Sequence, residues 1–311
     1  MNNKDNSLAT IVCVIGPTGS GKNDLALWLS KKFPLEIINF DSRQVYSDLP
    51  IITAQPSESE KHSCPHHLYG FLGLRDKISA GSFMDKARQT IEDVASRGRI
   101  PFLVGGTGLY LRSLIYGLVH IPAVPEAIQA ELEIELHRFG VQVLYKRLIS
   151  VDPVYSEAIT GNDRQKIIRA LGVYMTTGKP FSEWHRQQNR EPFYRALKLG
   201  IIRELEELTP GLKQRIAKMI RLGAVEEVKK AWKKSGCDPL CPAFSGIGCT
   251  EVIGYIEGET DLEQAVDLWM KNTRAYAKRQ LTWFRKEQEI SWVRLDEKDL
   301  VLDLVNEFLG K

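Results

Sequence analysis

Residues 11–15 (Ile-Val-Cys-Val-Ile) form an unbroken apolar run rich in β-branched side chains, as expected of a strand buried on both faces of a parallel sheet. After it Leu25, Trp28, Leu29 and Phe33 recur at helical spacing, and residues 35–40 predict a second strand. Periodicity lapses between residues 47 and 81, where Pro50, Pro56 and Pro65 punctuate a loop-rich stretch; within it Ile52-Thr53-Ala54-Gln55-Pro56 reads as a turn or lid. Phe83, Ala87, Ile91, Val94 and Ala95 share one helical face, Gly98 ends that helix, and residues 100–104 predict the next strand. From 122 to about 181 the pattern is helical throughout. Ile128, Leu132, Leu136 and Phe139 form one apolar face there, and Ile167, Ile168, Leu171, Tyr174 and Met175 form another. Strand character returns at 196–202, a helix follows from Gly211, and 235–248 is a Gly/Pro/Ser-rich loop. The last long helix, about 261–286, carries Trp269, Thr273, Tyr276, Gln280 and Phe284 on one face. Lys271, Arg274, Lys278 and Arg285 lie nearly opposite, a basic stripe suited to tracking phosphates or simply to meeting water.

The first strand-to-helix turn is Gly16-Pro17-Thr18-Gly19-Ser20-Gly21-Lys22-Asn23. In that context a G-x-x-x-x-G-K string is a phosphate-binding loop: glycines let backbone N–H groups converge on an anion, the helix N-terminus adds partial positive charge, and Lys22 adds a full one. Asn23 stands where a hydroxyl residue ordinarily ligates Mg2+; its carbonyl oxygen is a weaker substitute. Asp41 ends the second predicted strand, so it faces the same crevice or caps the next helix. Gly105-Gly106-Thr107-Gly108 is a second glycine-rich strand-to-helix turn, serving a ligand or packing alone. The strand before it carries no acidic residue of the kind that holds Mg2+ and orders water in nucleotide hydrolases, so transfer to a separate acceptor suits the chain better.

The fold class expected is α/β, a P-loop NTPase-like parallel sheet flanked by helices with an all-helical insertion. The core takes residues 1–120 and 191–311, including the basic C-terminal helix, and the insertion takes 121–190. Of 311 residues, 43% are hydrophobic and 26% charged, and the net charge of +3 leaves any basic surface local. The five cysteines form no C-x-x-C pair, which fits a reducing compartment. Cys64-Pro65-His66-His67 lacks a second ligand pair at zinc-finger spacing. Residues 1–10 are polar and unlike a signal peptide, and no apolar run is long enough for a membrane span, so a cytosolic protein is expected.

Together these motifs resemble the tRNA dimethylallyltransferases (tRNA isopentenyltransferases) along nearly the whole chain. The matches are GPTGSGK at 16–22, DSRQVY at 41–46, TAQP at 53–56, GRIPFLVGGTGLYLRSL at 98–114, DP at 152–153, ND at 162–163, RAL at 169–171 and TRAYAKRQLTWFR at 273–285. The resemblance implies transfer of a five-carbon allyl group from dimethylallyl diphosphate to N6 of an adenine beside the tRNA anticodon. The loop of Gly16, Pro17, Thr18, Gly19, Ser20, Gly21, Lys22 and Asn23 then holds a diphosphate, with Mg2+ as cofactor. Asp41 is implied as general base, and Thr107 as a holder of the target base or diphosphate. Asp41, Ser42, Arg43, Gln44 and Thr107, together with Gln165, Lys166, Ile167, Ile168 and Arg169, fall in family regions that touch the tRNA. Arg274 and Lys278 of the stripe would join the insertion in gripping the anticodon stem-loop. Nothing asks for more than a monomer.

The chain departs from the family at Asn23, at Ile52 and Gln55 (usually Gly and Lys), and at Gly248-Cys249-Thr250-Glu251 (usually Gly-Tyr-Lys-Glu). Around Arg215 a second arginine, used by the family on the diphosphate, has no clear counterpart, leaving Lys218 or Arg221 as substitutes. Other readings are an adenylate isopentenyltransferase acting on free AMP, ADP or ATP, a small-molecule P-loop kinase, and a catalytically impaired tRNA-binding homologue.

Overall fold

The structure is a computed structural model, and it describes residues 8–119, 121–187 and 191–310. The polar leader at 1–7 and the expected boundary at 190 lie outside these residues. The chain forms two compact units, Met1–Ile115 with Phe193–Lys311, and Tyr116–Pro192.

In the first unit the chain runs β1 (Thr10–Ile15), α1 (Lys22–Ser30), β2 (Leu35–Asn39), α2 (Glu58–Ser63), β3 (His66–His67), α3 (Ala80–Ser96), β4 (Ile100–Gly105) and α4 (Gly108–Tyr116). The second unit is made of α5 (Glu126–Phe139), α6 (Val141–Val151), α7 (Pro153–Glu157), α8 (Arg164–Thr177) and α9 (Phe181–Arg186). The first unit then resumes with β5 (Arg195–Ile201), α10 (Leu205–Arg221), α11 (Ala224–Lys234), α12 (Cys249–Ile256), α13 (Leu262–Phe284), β6 (Ile290–Val293) and α14 (Lys298–Leu309).

The six strands form one parallel sheet in the order β3-β2-β4-β1-β5-β6. β1 is central because both its faces are covered: residues 11–15 are fully buried, Val12 pairing with Phe102 and Leu197, Val14 with Val104 and Leu199. On one face Leu25, Ala26 and Leu29 of α1 and Val301 and Val305 of α14 join the strand residues in a single core. Parallel pairing brings the carboxyl ends of β1, β2 and β4 side by side, where open α/β sheets bind ligands.

Both edge strands escape the apolar pattern. β3 is only two histidines, and β6 is four residues, just one of them fully buried. The loop-rich stretch also holds α2, started by a capping box in which Ser57 and Glu60 satisfy each other's backbone N–H. α10 begins at Leu205 instead of Gly211: Pro210 sits inside it, and a proline normally argues against a continuing helix. Among the described residues no helix is long and apolar enough to cross a membrane.

The second unit has its own core of Leu132, Leu144, Leu148, Ile167, Ala170, Leu171, Val173 and Phe181. Phe139, expected on the apolar face of α5, is 52% exposed, because it is the last residue of that helix and Gly140 turns the chain away.

Candidate active site

The phosphate loop follows β1. Gly19 and Gly21 have φ of +75° and +88°, a region that side chains other than glycine's rarely enter, and Gly21 is the N-cap of α1. Ser20 N donates to Pro17 O at 3.2 Å, which curls the loop. Thr18 N donates to the side chain of Gln280 at 2.8 Å, so of the predicted cradle Thr18 offers no free amide. The free donors are the amides of Gly19 and Gly21 and those of Lys22 and Asn23, whose position in the first helical turn leaves them without intrahelical acceptors. The Ser20 hydroxyl is buried with no partner among the described residues.

Lys22 Nζ rests on Pro17 O at 3.2 Å. Desolvation in the site pulls its pKa down to about 8; Asp41 works against that shift and Arg215 adds to it. Arg215, reaching in from α10, is likewise pushed down by burial and steadied by Asp41 and Asp24. Arg215 is thus a second cation acting on the site beside Lys22, while Lys218 and Arg221 are exposed and the charge of Lys218 acts on Glu60.

Asp41 stands just beyond β2. Asn39, fully buried, fixes the backbone there: its Oδ1 accepts from Asp41 N at 2.7 Å, and its Nδ2 donates to Asp41 O and Leu68 O at 3.1 and 2.8 Å. Asp41 Oδ1 accepts from Arg43 N at 2.9 Å, an Asx turn that aims the carboxylate. Asp41 caps no helix, since the next one begins only at Glu58; one oxygen closes a turn while its charge acts on Lys22, Arg215 and Tyr276.

Thr107 sits beside it, after β4. Its Oγ1 accepts from Ser42 N at 3.1 Å and donates to Ser42 Oγ at 3.4 Å. Tyr276 of α13 is half-buried nearby, and burial followed by the charge of Asp41 raises its pKa. Tyr69 is raised by the same two causes. The neighbourhood of Asp41 is therefore aromatic as well as charged.

Not every predicted contact residue is available to a ligand. Arg43 donates to Ser245 Oγ at 2.6 Å. Gln44 is buried, and its Nε2 donates to Thr53 O and Ala54 O at 3.0 and 2.7 Å. It holds the turn at 53–56, where Ala54 has φ of +53°, in place of meeting a tRNA. The same turn is pinned by Gln55 Nε2 on Tyr46 O (2.8 Å) and by Glu227, whose carboxylate accepts from Ile51 N and Ile52 N. The segment is a turn anchored by these bonds. Ile167 is 0% exposed in the core of the second unit, which corrects its assignment as a contact residue. Gln165 and Lys166 are exposed, with Lys166 paired to Asp163 at 2.8 Å; Ile168 is half-buried, and Arg169 reaches Pro122 O at 3.4 Å.

Along α13 the predicted inward face is buried, except for the half-buried Tyr276. The outward stripe is partly neutralised: Arg285 bonds both carboxylate oxygens of Glu204 at 3.0 Å, and Arg274 reaches Glu206 and Thr209. Lys271 and Lys278 remain exposed.

No three His, Cys, Asp or Glu side chains among the described residues gather as a metal cage. Cys64 is buried against Leu35 O, His66 bonds Cys64 O, and His67 bonds Glu36, so the Cys-Pro-His-His string serves the sheet edge.

The sequence pattern defining the IPP transferase family matches residues 44–287. The chain is 50% identical over 300 residues to the tRNA dimethylallyltransferase of Maridesulfovibrio salexigens, covering 96% of this chain and 97% of that one. It is 47% identical to the tRNA dimethylallyltransferase of Oleidesulfovibrio alaskensis, over 93% and 94% of the two chains. Among solved structures, the tRNA isopentenylpyrophosphate transferase of Bacillus halodurans superposes with a TM-score of 0.68 at 33% identity, over 97% and 98% of the chains. A eukaryotic dimethylallyltransferase acting on tRNA superposes with a TM-score of 0.81 at 27% identity, over 97% of this chain and 80% of that one.

Proposed function

The chain belongs to the IPP transferase family, and from that premise we propose that it is a tRNA dimethylallyltransferase moving the allyl group of dimethylallyl diphosphate to N6 of the adenine 3′ to the anticodon. The observation that carries this reading is the meeting of Lys22, Arg215 and the free loop amides with Asp41 and Thr107 at the ends of three adjacent strands.

The chemistry divides between the two sides of that crevice. The amides of Gly19, Gly21, Lys22 and Asn23 bind the diphosphate, and Lys22 and Arg215 offset the charge that grows on it as the C1–O bond breaks. Donors preorganised in this way are commonly worth about 10²–10³ in rate each. The electron pair of that bond leaves with pyrophosphate. N6 of the adenine forms the new bond to C1 and loses a proton to the Asp41 carboxylate, a step worth about 10²–10⁴ for a positioned base. Thr107 and Ser42, hydrogen-bonded to each other, lie beside Asp41 where the extruded base would be held.

Mg2+ fits as a cofactor carried with the diphosphate: the partnerless Ser20 hydroxyl and the Asn23 carbonyl oxygen are neutral oxygens at the loop, and no acidic cage competes. Bound there, the ion would supply further positive charge to the diphosphate, with the Ser20 hydroxyl and the Asn23 carbonyl oxygen as the side-chain groups that would hold it. β4 ends in Gly105 with no acidic side chain, which supports diphosphate over ATP as the loop's ligand.

For the anticodon stem-loop, the helical unit offers Gln165, Lys166 and Arg169, and, separately, α13 offers Lys271, Lys278 and Arg274. Structured RNA is gripped chiefly by shape and phosphates. The protein would act as a cytoplasmic monomer. Transfer of label from dimethylallyl diphosphate to an unmodified tRNA tests the reading, and transfer to free AMP in its place would give the site to a mononucleotide acceptor.

A further inference from the structure

Among the described residues, the Gln280 side chain hydrogen-bonds to both glycine turns. It lies on the inward face of α13, 5% exposed. Its Oε1 accepts from Thr18 N of the phosphate loop at 2.8 Å, and its Nε2 donates to Gly106 O of the second turn at 2.9 Å. A Cβ on Gly106 would collide with that amide, so the glycine admits the contact. One helical turn earlier Tyr276 lies half-buried on the same face of α13. The rotation of α13 that aims both side chains is set by its packing on α10, where Ala277 and Leu281 meet Leu208 and Leu212. Leu212 in turn lies against Gly19 of the phosphate loop.

We infer that Gln280 is a positioning residue that sets the separation between the diphosphate side and the adenine side of the site. The inference rests on the transferase reading above and adds to it a group that touches neither substrate. Displacement at C1 needs N6, C1 and the leaving oxygen held in line, and a misplacement of about 1 Å can cost roughly 10²-fold in rate. No direct backbone hydrogen bond among the described residues links the two loops beyond the β1–β4 ladder, which ends with Ile15 opposite Gly105. Past that point the bridging amide holds them. Its two hydrogen bonds also explain why Thr18 N faces away from the anion while its neighbours stay free.

Two substitutions test this. Gln280→Met keeps the length and removes both hydrogen bonds. It should lower kcat for transfer at least about tenfold while changing the affinities for inorganic pyrophosphate and for tRNA, measured separately, by less than about threefold. Gln280→Glu keeps the acceptor for Thr18 N but can donate to Gly106 O only when protonated. Its kcat relative to wild type should therefore recover as pH falls, a dependence that loss of packing alone would not produce. Hydrogen exchange at 16–19 should quicken about tenfold in Gln280→Met. A kcat within twofold of wild type, or pyrophosphate and tRNA affinities that fall in step with kcat, overturns the proposal. If wild type transfers nothing, the functional reading fails, and the exchange rates alone still decide whether Gln280 clamps the loops.

Discussion

Raising pH through the titration of Lys22 should weaken diphosphate binding by an amount the structure sets. In the free protein desolvation and Arg215 outweigh Asp41 and bring Lys22 to about 8. A bound diphosphate places negative charge beside the ammonium and should return it to its ordinary range near 10.5 or above. Between about pH 7 and pH 9.5 the protonated fraction of the free site falls from about nine-tenths to about 3%, and the affinity should fall about 30-fold. Pyrophosphate titrates in the same range, so the quantity to follow is the ratio of dissociation constants between wild type and Lys22→Gln, which cancels the ligand's own protons. Calorimetry with inorganic pyrophosphate at constant ionic strength gives that ratio. It should shrink with a midpoint near pH 8, and wild type should take up a proton on binding above that midpoint. Stability runs the other way: the charged form is penalised in the folded state, so unfolding free energy rises from about pH 8 to about 10.5. A ratio that stays flat across the range, or breaks only near 10.5, refutes the argument that Lys22 is desolvated on the floor of the site.

Other consequences follow from individual contacts. Gln44→Leu strips the donors from Thr53 O and Ala54 O and should cost about 1–3 kcal/mol in urea unfolding; a loss below about 0.5 kcal/mol would mean the turn at 53–56 is held without it. Glu36 is buried at the sheet edge, where burial alone would raise its pKa, but hydrogen bonds from Arg97 and His67 outweigh that and lower it. Its contribution is present above the unfolded value of 4.5 and lost as pH falls below it, so Glu36→Gln should be less stable than wild type at neutral pH by about 1–3 kcal/mol, with the gap closing as pH falls below 4.5. On α13, Lys278→Ala should lower the salt dependence of tRNA binding by nearly one ion, while Arg285→Ala, already paired with Glu204, should change it little. Equal effects would show that the pairing breaks when tRNA binds.

The sequence carried the centre of this molecule more plainly than its edges. A strand buried on both faces, a glycine turn and an amphipathic helix are local patterns, so β1, the phosphate loop and α1 could be read directly, as could Asp41 and Thr107 at strand ends. What escaped was non-local. β3 and β6 exist because neighbouring strands offer open edges, not because their own residues alternate. Gln280 falls on the inward face by periodicity, yet nothing local says that its amide spans loops 174 and 262 residues away. Arg215 looked like half of a pair, until the packing of α10 over the loop put it beside Asp41. Gln44 and Ile167 show the opposite failing: a segment that matches a binding region still spends some side chains on its own support. Whether a glutamine amide spends its donors on its own turn, or an isoleucine is fully buried, is decided by packing, which a linear pattern cannot weigh.

The central claim is that Asp41 takes the proton from N6 while the loop holds the diphosphate. The direct measurement is single-turnover transfer of labelled dimethylallyl diphosphate, with Mg2+, to an unmodified tRNA bearing adenine 3′ of its anticodon, for wild type and Asp41→Asn. The substitution can keep the hydrogen bond from Arg43 N and removes only the base. Label on N6 in wild type, with a rate lower by about 10²-fold or more in the variant and tRNA and pyrophosphate binding intact, is the predicted result. Transfer at similar rates in both proteins, or none in wild type despite tight tRNA binding, would contradict it.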